Sequence, residues 1–256
     1  MGLIKVIPFG SGSTGNSIYI EFNSHAFLVD MGIGYKKVRD AMALYDRHLE
    51  DLEAIFLTHG HYDHVKSASA ISNHTECPVY SHQSSMYPIR NIRSRRISIN
   101  TYETFQAVDG LTVTMFPVSH DYVQTCGFLF ESGGMKIGYV TDCGKMNDTI
   151  FSLLSGSDLV IIESNHDVEM LKNGPYPRQL QRRILSKYGH LSNDDCADTI
   201  DRLYETGTKH FLLAHLSRIN NTPQIALETS LEKMAGKKVT IGLCPEEGSE
   251  MYEFLL

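Results

Sequence analysis

The chain of 256 residues is long enough to bury a sizeable core, and its content of 42% apolar and 21% charged residues is typical of one globular domain, residues 1–256. It contains no apolar run of 18 residues, which argues against a membrane span, and its start predicts a strand rather than a signal peptide. The net charge of -7 argues against broad electrostatic attachment to nucleic acid, and five scattered cysteines favour a reducing cytoplasm over a disulfide framework.

Short apolar and β-branched runs predict strands along the whole chain, and runs with a period of 3.6 residues predict helices between them. The predicted strands are 2–9, 17–22, 25–29, 54–57, 78–81, 111–118, 126–131, 135–140, 158–163, 210–214, 238–243 and 250–254. The predicted helices are 35–48, one starting just after His64, 147–154, 178–187, 193–206 and 223–235. This alternation is consistent with an α/β fold in which two sheets lie between layers of helices, an αββα sandwich.

The most informative segment is residues 58–64, Thr-His-Gly-His-Tyr-Asp-His, directly after the apolar stretch 54–57. It places four metal-competent side chains within six residues, namely His59, His61, Asp63 and His64. Such clustering is unfavourable unless a cation is present, and imidazoles with a carboxylate suit zinc, manganese or iron. The alternative is a histidine-rich turn with no role, which the candidate ligands elsewhere in the chain disfavour.

The H-x-H-x-D-H pattern of this segment resembles the signature of the metallo-β-lactamase superfamily, which implies the αββα fold and three later ligands. His120, Asp142 and His215 occur in the implied order, each at the end of a strand-like run. The ends of separate strands can meet along one edge of a sheet. The resemblance implies two metal-binding sets bridged by Asp142, the first being His59, His61 and His120, and the second Asp63, His64 and His215.

The same resemblance implies a chemistry for two divalent metal ions, Zn, Mn or Fe. Two such ions activate a shared water and stabilise the attacked and leaving oxygens. Asp63 would also orient that water or accept its proton. His64, together with Asp142 rather than a cysteine, resembles the phosphodiesterases of the superfamily rather than the antibiotic-degrading enzymes. Cys143 follows Asp142, so a shift of one residue would restore a cysteine ligand, but Thr-Asp at the end of a strand favours Asp142.

The glycine-rich segment 10–15, Gly-Ser-Gly-Ser-Thr-Gly, allows two interpretations. It fits G-x-G-x-x-G, but a dinucleotide site requires a helix next, and residues 17–22 predict a strand. It is therefore either a structural hairpin turn or a loop whose amides and hydroxyls, from Ser11, Ser13 and Thr14, contact a substrate phosphate.

The second half of the chain resembles a narrower group, the bacterial YycJ/WalJ family of metallo-β-lactamase-fold proteins. The resemblance extends from residue 4 to about residue 250, and it implies a metal-dependent DNA exonuclease, with 5′ polarity in some members. The segments that carry it, besides 10–16, are 162–171, 174–177, 189–193, 213–217 and 220–221.

A more distant resemblance to the tRNA 3′-end-processing endonucleases of the superfamily concerns Glu163 and His190. In those enzymes a strand-end Glu and a Gly-His-Ser/Thr string are thought to donate a proton to the leaving group. A carboxylate can orient and charge an imidazole, which then protonates a departing oxyanion. The alternative is that Glu163 caps a loop and His190 only precedes a helix. Asn165 and His166 lie beside Glu163 and are expected to share the substrate site.

Arginines cluster in a chain of net negative charge. Arg93, Arg95 and Arg96, with Arg90 and Tyr87, are expected to hold substrate phosphates, although a solvated loop is the alternative. For a second group, Arg178, Arg182 and Arg183, phosphate binding and an ordinary helix face are equally consistent with the sequence.

These observations favour a dinuclear-metal phosphodiesterase acting on nucleic acid, with DNA preferred and attack from an end. The alternatives are a hydrolase of a small cyclic phosphodiester, lactone or thioester, and a binding module without turnover. Seven retained ligands argue against the last of these. The sequence indicates no membrane and no protein partner.

Overall fold

Two seven-stranded sheets pack face to face, and helices cover the outer face of each. The computed structural model describes residues 2–86, 89 and 91–256, so Tyr87 and Arg90 of the predicted arginine cluster lie outside the described residues. The arrangement is the αββα sandwich expected from the sequence. Among the described helices, none combines the length and the apolar character that a membrane crossing requires.

The first sheet changes from antiparallel to parallel pairing at its third strand along the chain. Its strands in spatial order are β14 (Tyr252–Leu255), β1 (Leu3–Gly10), β2 (Ser17–Phe22), β3 (His25–Val29), β4 (Ala54–Leu57), β5 (Val79–Ser81) and β6 (Arg96–Ser98). The pairs from β14 to β3 are antiparallel, whereas β3, β4, β5 and β6 are parallel. The carboxyl ends of these four strands therefore lie at one edge of the sheet.

The second sheet has a corresponding organisation. Its strands in spatial order are β13 (Thr240–Leu243), β12 (His210–Ala214), β11 (Leu159–Glu163), β10 (Met135–Val140), β9 (Thr125–Ser132), β8 (Leu111–Val118) and β7 (Thr104–Val108). The strands β10 to β13 are parallel, and β7 to β10 are antiparallel. The carboxyl ends of β10, β11 and β12 meet at one edge.

Aromatic side chains join the two sheets. The ring of Phe56 on β4 lies 5.3 Å from Phe27 in its own sheet, and 5.6 Å and 5.0 Å from Phe128 and Phe130 of β9. All four side chains are buried, and each stabilises the fold by about 1.5–3 kcal/mol through the apolar surface it removes from water. The five cysteines are also buried, and all are free.

Nine α-helices among the described residues flank the sheets or lie in the loops between strands, and a short 3-10 helix, Leu49–Asp51, precedes β4. The α-helices are α1 (Tyr35–Ala43), α2 (Tyr62–Val65), α3 (Ala68–Thr75), α4 (Gln83–Met86), α5 (Asp148–Leu154), α6 (Val168–Asn173), α7 (Arg178–Ile184), α8 (Asn193–Tyr204) and α9 (Pro223–Lys233). The N-cap side chains of Asn147, Asp167, Ser192 and Thr222 each accept a backbone hydrogen bond from the first turn of α5, α6, α8 and α9.

The structure differs from the sequence prediction where tertiary pairing decides the local conformation. The helix predicted at 35–48 ends at Ala43, because Asp46 adopts a positive φ of 55° in the turn that follows. The helix expected after His64 begins earlier, as the single turn α2, and includes Asp63 and His64. The strands β6 and β7 and the helix α6 were not predicted. The sequence of β6, Arg-Ile-Ser, has little strand signal of its own, and this segment is extended because it pairs with β5.

Candidate metal centre and active site

The candidate metal ligands come together where strands of both sheets end. His59 and His61 follow β4, and the turn α2 carries Asp63 and His64. The other three candidates follow β8, β10 and β12 of the second sheet, and they are His120, Asp142 and His215. Residues up to 156 positions apart in the chain thus meet because parallel strands end at a common edge.

Four overlapping groups of side chains have the spacing that a metal ion requires, since the possible ligand atoms in each lie within 4.8 Å of one another. Two of the groups match the two sets expected from the sequence, namely His59, His61 and His120, and Asp63, His64 and His215. The other two groups share Asp142, and they are His59, His64 and Asp142, and Asp142, Glu163, His190 and His215.

The carboxylate of Asp142 lies between the first two groups. Its Oδ1 atom is 3.6 Å from Nε2 of His120 and 3.5 Å from Nε2 of His215. Its Oδ2 atom is 3.4 Å from Nε2 of His64. One side chain therefore faces nitrogens of both groups, which is the position a bridging ligand needs.

The hydrogen bonding of these side chains fits divalent cations. Asp142 Oδ2 and His215 Nε2 are buried without a hydrogen-bond partner among the described residues. Buried polar atoms are otherwise nearly always paired, so the convergence of such atoms on one point is typical of a metal-binding cradle. Imidazole nitrogens and carboxylate oxygens suit zinc, manganese and iron.

The electrostatics of the centre act differently on its imidazoles and its carboxylate. Burial, reinforced by the neighbouring charge of His64, lowers the pKa of His59 well below its usual value, which favours a neutral imidazole. Burial disfavours the charged form of Asp142, but the imidazoles around it outweigh burial and hold its pKa well below the usual range. For His215, burial is likewise outweighed by Asp142 and Glu163, which raise the pKa to about 10. The two carboxylates therefore favour a positive charge at His215, which a bound cation would supply in place of the proton, since a histidine ligand must be neutral.

A buried aspartate that the sequence analysis did not single out supports the first motif. Asp30, at the end of β3, accepts hydrogen bonds from the backbone and hydroxyl of Thr58 at 2.8–3.0 Å. Its Oδ2 atom lies 2.8 Å from Nδ1 of His64, which leaves Nε2 directed at Asp142. A carboxylate that fixes the other ring nitrogen is the usual support of a histidine ligand. The sequence signal was an acidic residue directly after an apolar strand.

Asn16 and Gly32 are two further supports that the sequence analysis did not identify. The Asn16 side chain forms two hydrogen bonds with the backbone of Gly12, since its Oδ1 atom accepts from the N–H group and its Nδ2 atom donates to the carbonyl oxygen. The same Nδ2 atom lies 2.9 Å from Nε2 of His64. A side chain on Gly32 would place its Cβ atom 1.5 Å from the carbonyl oxygen of Asp63. Only glycine permits this close packing of the loop after β3 against α2.

Glu163 lies behind the centre and binds both imidazole and backbone groups. Its Oε1 atom is 2.7 Å from Nδ1 of His190 and 2.8 Å from Nδ1 of His215. Its Oε2 atom accepts hydrogen bonds from the backbone N–H groups of Cys143 and Leu191, at 2.8 Å and 3.1 Å. Burial opposes ionisation, but His190 and His215 outweigh it, and the pKa of Glu163 falls to about 2. Glu163 is therefore a fixed carboxylate that orients two imidazoles towards the centre.

The expected substrate contacts are divided between the surface and the interior. Ser11 and Asn165 are buried and hydrogen-bond the backbone of His215, at 2.7 Å and 2.8 Å, so they hold this loop in place. His166 is fully buried, with both ring nitrogens unpartnered among the described residues. These three side chains lie below the surface that a substrate would contact, whereas Ser13 and Thr14 are exposed.

The three arginines of the first cluster are not brought to the metal-binding side chains. Arg93, Arg95 and Arg96 are exposed, and Arg96 begins β6 at its amino end. The candidate ligands follow the carboxyl end of β4, which is parallel to β5 and β6, so the arginines lie towards the opposite edge of the sheet. From the second group, Arg183 of α7 forms an ion pair with Asp121, next to His120.

A tyrosine that the sequence analysis also missed packs beside the first group. The ring centroid of Tyr122 lies 5.5 Å from that of His59 and 4.9 Å from that of His61. Its hydroxyl group donates a hydrogen bond to the backbone oxygen of Ser84 at 3.2 Å. It follows His120 by two residues, and this position in a ligand-bearing loop was the available signal.

Comparison with known proteins is consistent with this geometry. Residues 25–216 match the family model described as the β-lactamase superfamily domain. The chain is 32% identical over 236 residues to the exodeoxyribonuclease YycJ of Bacillus anthracis, covering 91% of this chain and 89% of the relative. It is 32% identical over 248 residues to the exodeoxyribonuclease WalJ of Streptococcus pneumoniae, covering 93% and 91%.

Among solved structures, the metallo-β-lactamase-fold protein YhfI of Bacillus subtilis superposes with a TM-score of 0.74 at 17% identity. The superposition covers 99% of this chain and 100% of YhfI. At this identity the likeness establishes the fold.

Proposed function

Because the chain belongs to the metallo-β-lactamase superfamily, and within it to the family of the YycJ and WalJ exodeoxyribonucleases, we propose that it hydrolyses DNA from an end, with 5′ polarity. Family membership by itself makes the chain a metal-dependent hydrolase of nucleic acid or another phosphodiester. The observation that carries the finer proposal is the 32% identity to these exodeoxyribonucleases over about nine-tenths of each chain. The pairing of His190 with Glu163 at 2.7 Å, beside the candidate metal ligands, supports hydrolysis of a phosphodiester.

The proposed cofactor is a pair of divalent metal ions. The residues that would hold them are His59, His61 and His120, then Asp63, His64 and His215, with Asp142 shared. When bound, such a pair lowers the pKa of a shared water and stabilises the attacked and leaving oxygens. Asp63 is half-buried, and its carboxylate would orient that water or accept its proton.

The chain's own proton donor would be His190. Its Nδ1 atom faces Glu163, so Nε2 is free for a departing oxygen. The ring is about one-fifth exposed, and its centroid lies 4.9 Å from that of His120. It is thus close to the metal-binding side chains and accessible to a substrate. A fixed carboxylate behind an imidazole stabilises its protonated form, which then protonates the leaving group.

The test is product analysis with DNA labelled at either end, single- and double-stranded, in the presence of Mn²⁺ or Zn²⁺. A 5′ exonuclease releases the 5′ label in the first products, whereas a 3′ label remains on progressively shorter fragments. Metal-free protein is the control and should be inactive.

Two outcomes would contradict the proposal. Cleavage of closed circular DNA would indicate an endonuclease. Hydrolysis of a small chromogenic phosphodiester without cleavage of any DNA would indicate a small-molecule phosphodiesterase.

A further inference from the structure

Four exposed apolar side chains lie on the loops that carry the candidate metal ligands and His190. Tyr62 is 72% exposed, Val123 87%, Tyr188 51% and Ile219 46%. Each lies within four residues of His61, His120, His190 or His215. Single exposed apolar residues need no explanation, but a set that surrounds a polar centre indicates a binding surface. We call these four residues the apolar rim.

The two tyrosines of the apolar rim lie on two different chain segments that each contact His120. Tyr62 directly follows His61, whose ring centroid is 5.8 Å from that of His120. Tyr188 precedes His190 by two residues, and the carbonyl oxygen of the intervening Gly189 lies 3.1 Å from Nδ1 of His120. Both tyrosines are therefore exposed residues on chain segments that contact a candidate metal ligand.

A lysine ammonium group lies near each of these rings. Lys66 Nζ is 5.8 Å from the ring centroid of Tyr62, and Lys187 Nζ is 4.9 Å from that of Tyr188. The centre itself offers imidazoles and carboxylates, which can hold a phosphate through metal ions but give no apolar surface to a base. Exposed aromatic rings beside cations are the combination that binds unpaired nucleotides, since bases stack on the rings and the cations contact the phosphates.

We propose that Tyr62 and Tyr188 stack against unpaired bases on the two sides of the cleaved phosphate, so that the enzyme takes its substrate as a locally single-stranded segment. This inference rests on the proposed DNA exonuclease function. Stacking uses the face of a base and not its edges, so the platform tolerates any sequence. At the end of a duplex, the terminal pairs must open before cleavage, and the tyrosines stabilise the opened state.

The experiment compares protein variants with substrates that lack a base. Tyr62→Ala and Tyr188→Ala are each assayed on intact DNA and on DNA with an abasic site on one or the other side of the cleaved bond. On intact DNA, each variant should lower kcat/KM by roughly 5- to 150-fold, the range for the loss of one base–aromatic stack. On DNA abasic at the matching position, wild type and variant should be equal, because the stack is already absent.

Three controls separate stacking from other effects. Tyr62→Phe and Tyr188→Phe retain the ring and should recover most of the kcat/KM that the alanine variants lose. Tyr102→Ala removes another exposed tyrosine, 55% exposed, from the turn before β7, and should have no effect. Metal content should be unchanged in every variant, which excludes damage to the neighbouring ligands.

The outcomes distinguish this inference from the function on which it rests. If wild type cleaves DNA and the alanine variants match it, or if their deficit persists in full on abasic DNA, the stacking platform is wrong and the exonuclease function stands. If wild type hydrolyses only a small phosphodiester and no DNA, the proposed function fails, and the platform fails with it.

Discussion

Asp30, Asp142 and His215 share an uncommon backbone conformation directly after β3, β10 and β12. Their φ angles are 59°, 51° and 57°, in the left-handed region that costs a non-glycine residue about 1–3 kcal/mol. Local contacts compensate for this cost, as where the His215 N–H group donates to Ser11. Six other described non-glycine residues also have a positive φ, among them Asp46 in a turn, so what distinguishes these three is their shared place directly after strands that end at the candidate centre.

Asp142→Ala should abolish the binding of at least one of two divalent ions, because this carboxylate faces nitrogens of both ligand groups. The fold should survive, since the sheets do not depend on this side chain. Metal content per chain and far-ultraviolet circular dichroism measure the two effects. Asp109→Ala, at an exposed turn, is the matched control and should retain both ions. Saturation of the wild type at one ion under excess Mn²⁺ or Zn²⁺ would contradict the bridged pair.

His190→Ala should retain the metals but lower turnover on DNA by roughly 10²–10⁴-fold, the usual effect of removing a positioned acid. The deficit should shrink for substrates with a good leaving group, such as a nitrophenolate, because that oxyanion needs no proton. Glu163→Gln should show a milder form of the same pattern. The measurement is the ratio of mutant to wild-type rates over leaving groups of decreasing pKa.

The control for this series is His74→Ala, which removes an exposed histidine of α3 that pairs with Glu50. It should leave all the rates unchanged. A His190→Ala deficit that is constant over the series would exclude leaving-group protonation, and loss of metal would place His190 among the ligands.

At the scale of elements, one ion pair fixes the turn after α1 to the first sheet. Arg47 contacts the two carboxylate oxygens of Glu21 on β2 at 2.6 Å and 3.2 Å, and Tyr19 donates to the same carboxylate at 2.8 Å. Burial raises the pKa of Glu21, but the hydrogen bonds from Arg47 and Tyr19 outweigh it, so the net shift is downward from 4.5. The turn that ends the helix early is therefore stabilised by a partly buried contact with the sheet.

Arg47→Ala should lower the free energy of unfolding by about 1 kcal/mol at neutral pH, since a partly buried bidentate pair is stronger than an exposed one. A carboxylate whose pKa is depressed in the folded state stabilises above its unfolded pKa and loses this effect as pH falls. The difference in the free energy of unfolding between wild type and variant should therefore become smaller as pH falls below about 4.5. Urea unfolding of both proteins at each pH measures this free energy. The control is Arg39→Ala, which removes an exposed ion pair and should leave the free energy of unfolding unchanged. A difference independent of pH would mean that the arginine acts through packing alone.

At the scale of the whole molecule, negative charge and DNA binding must be reconciled. The net charge is -7, so attraction to phosphates has to come from local groups of cations. The exposed arginines before and at the start of β6 are one such group, although they lie away from the metal-binding side chains. A polynucleotide is long enough to contact both regions, whereas a small substrate is not.

Replacing Arg93, Arg95 and Arg96 with alanine should weaken DNA binding and reduce its dependence on salt. The slope of the logarithm of the binding constant against the logarithm of the salt concentration should become less steep by roughly 0.7–0.9 for each phosphate that the variant no longer neutralises. Lys209, Lys233 and Lys238 are exposed and carry the same charge, and they lie before β12, at the end of α9 and before β13, away from the carboxyl ends of the strands. Their triple alanine variant is the matched control. It should leave the slope unchanged. Equal slopes for both triple variants would identify the arginine cluster as ordinary solvated surface.

The sequence by itself determined most of the strands and the first four candidate ligands, in residues 59–64, because both are expressed in local patterns. The αββα fold and the three later ligands followed from the resemblance to a known superfamily. Short apolar runs fix the strands, and ligands placed at strand ends meet wherever parallel strands share an edge. Glu163 and His190 were identified through resemblance, and the structure brings their side chains to 2.7 Å.

Only the tertiary structure decided which side chains support the ligands and which reach a substrate. Asp30 and Asn16 contact His64 from segments 34 and 48 positions away, and no local pattern encodes such contacts. Ser11 and Asn165 have polar side chains typical of a substrate site, yet they are buried against His215. Burial and partner choice depend on how distant strands pack, so they are properties of the folded chain and not of any one segment.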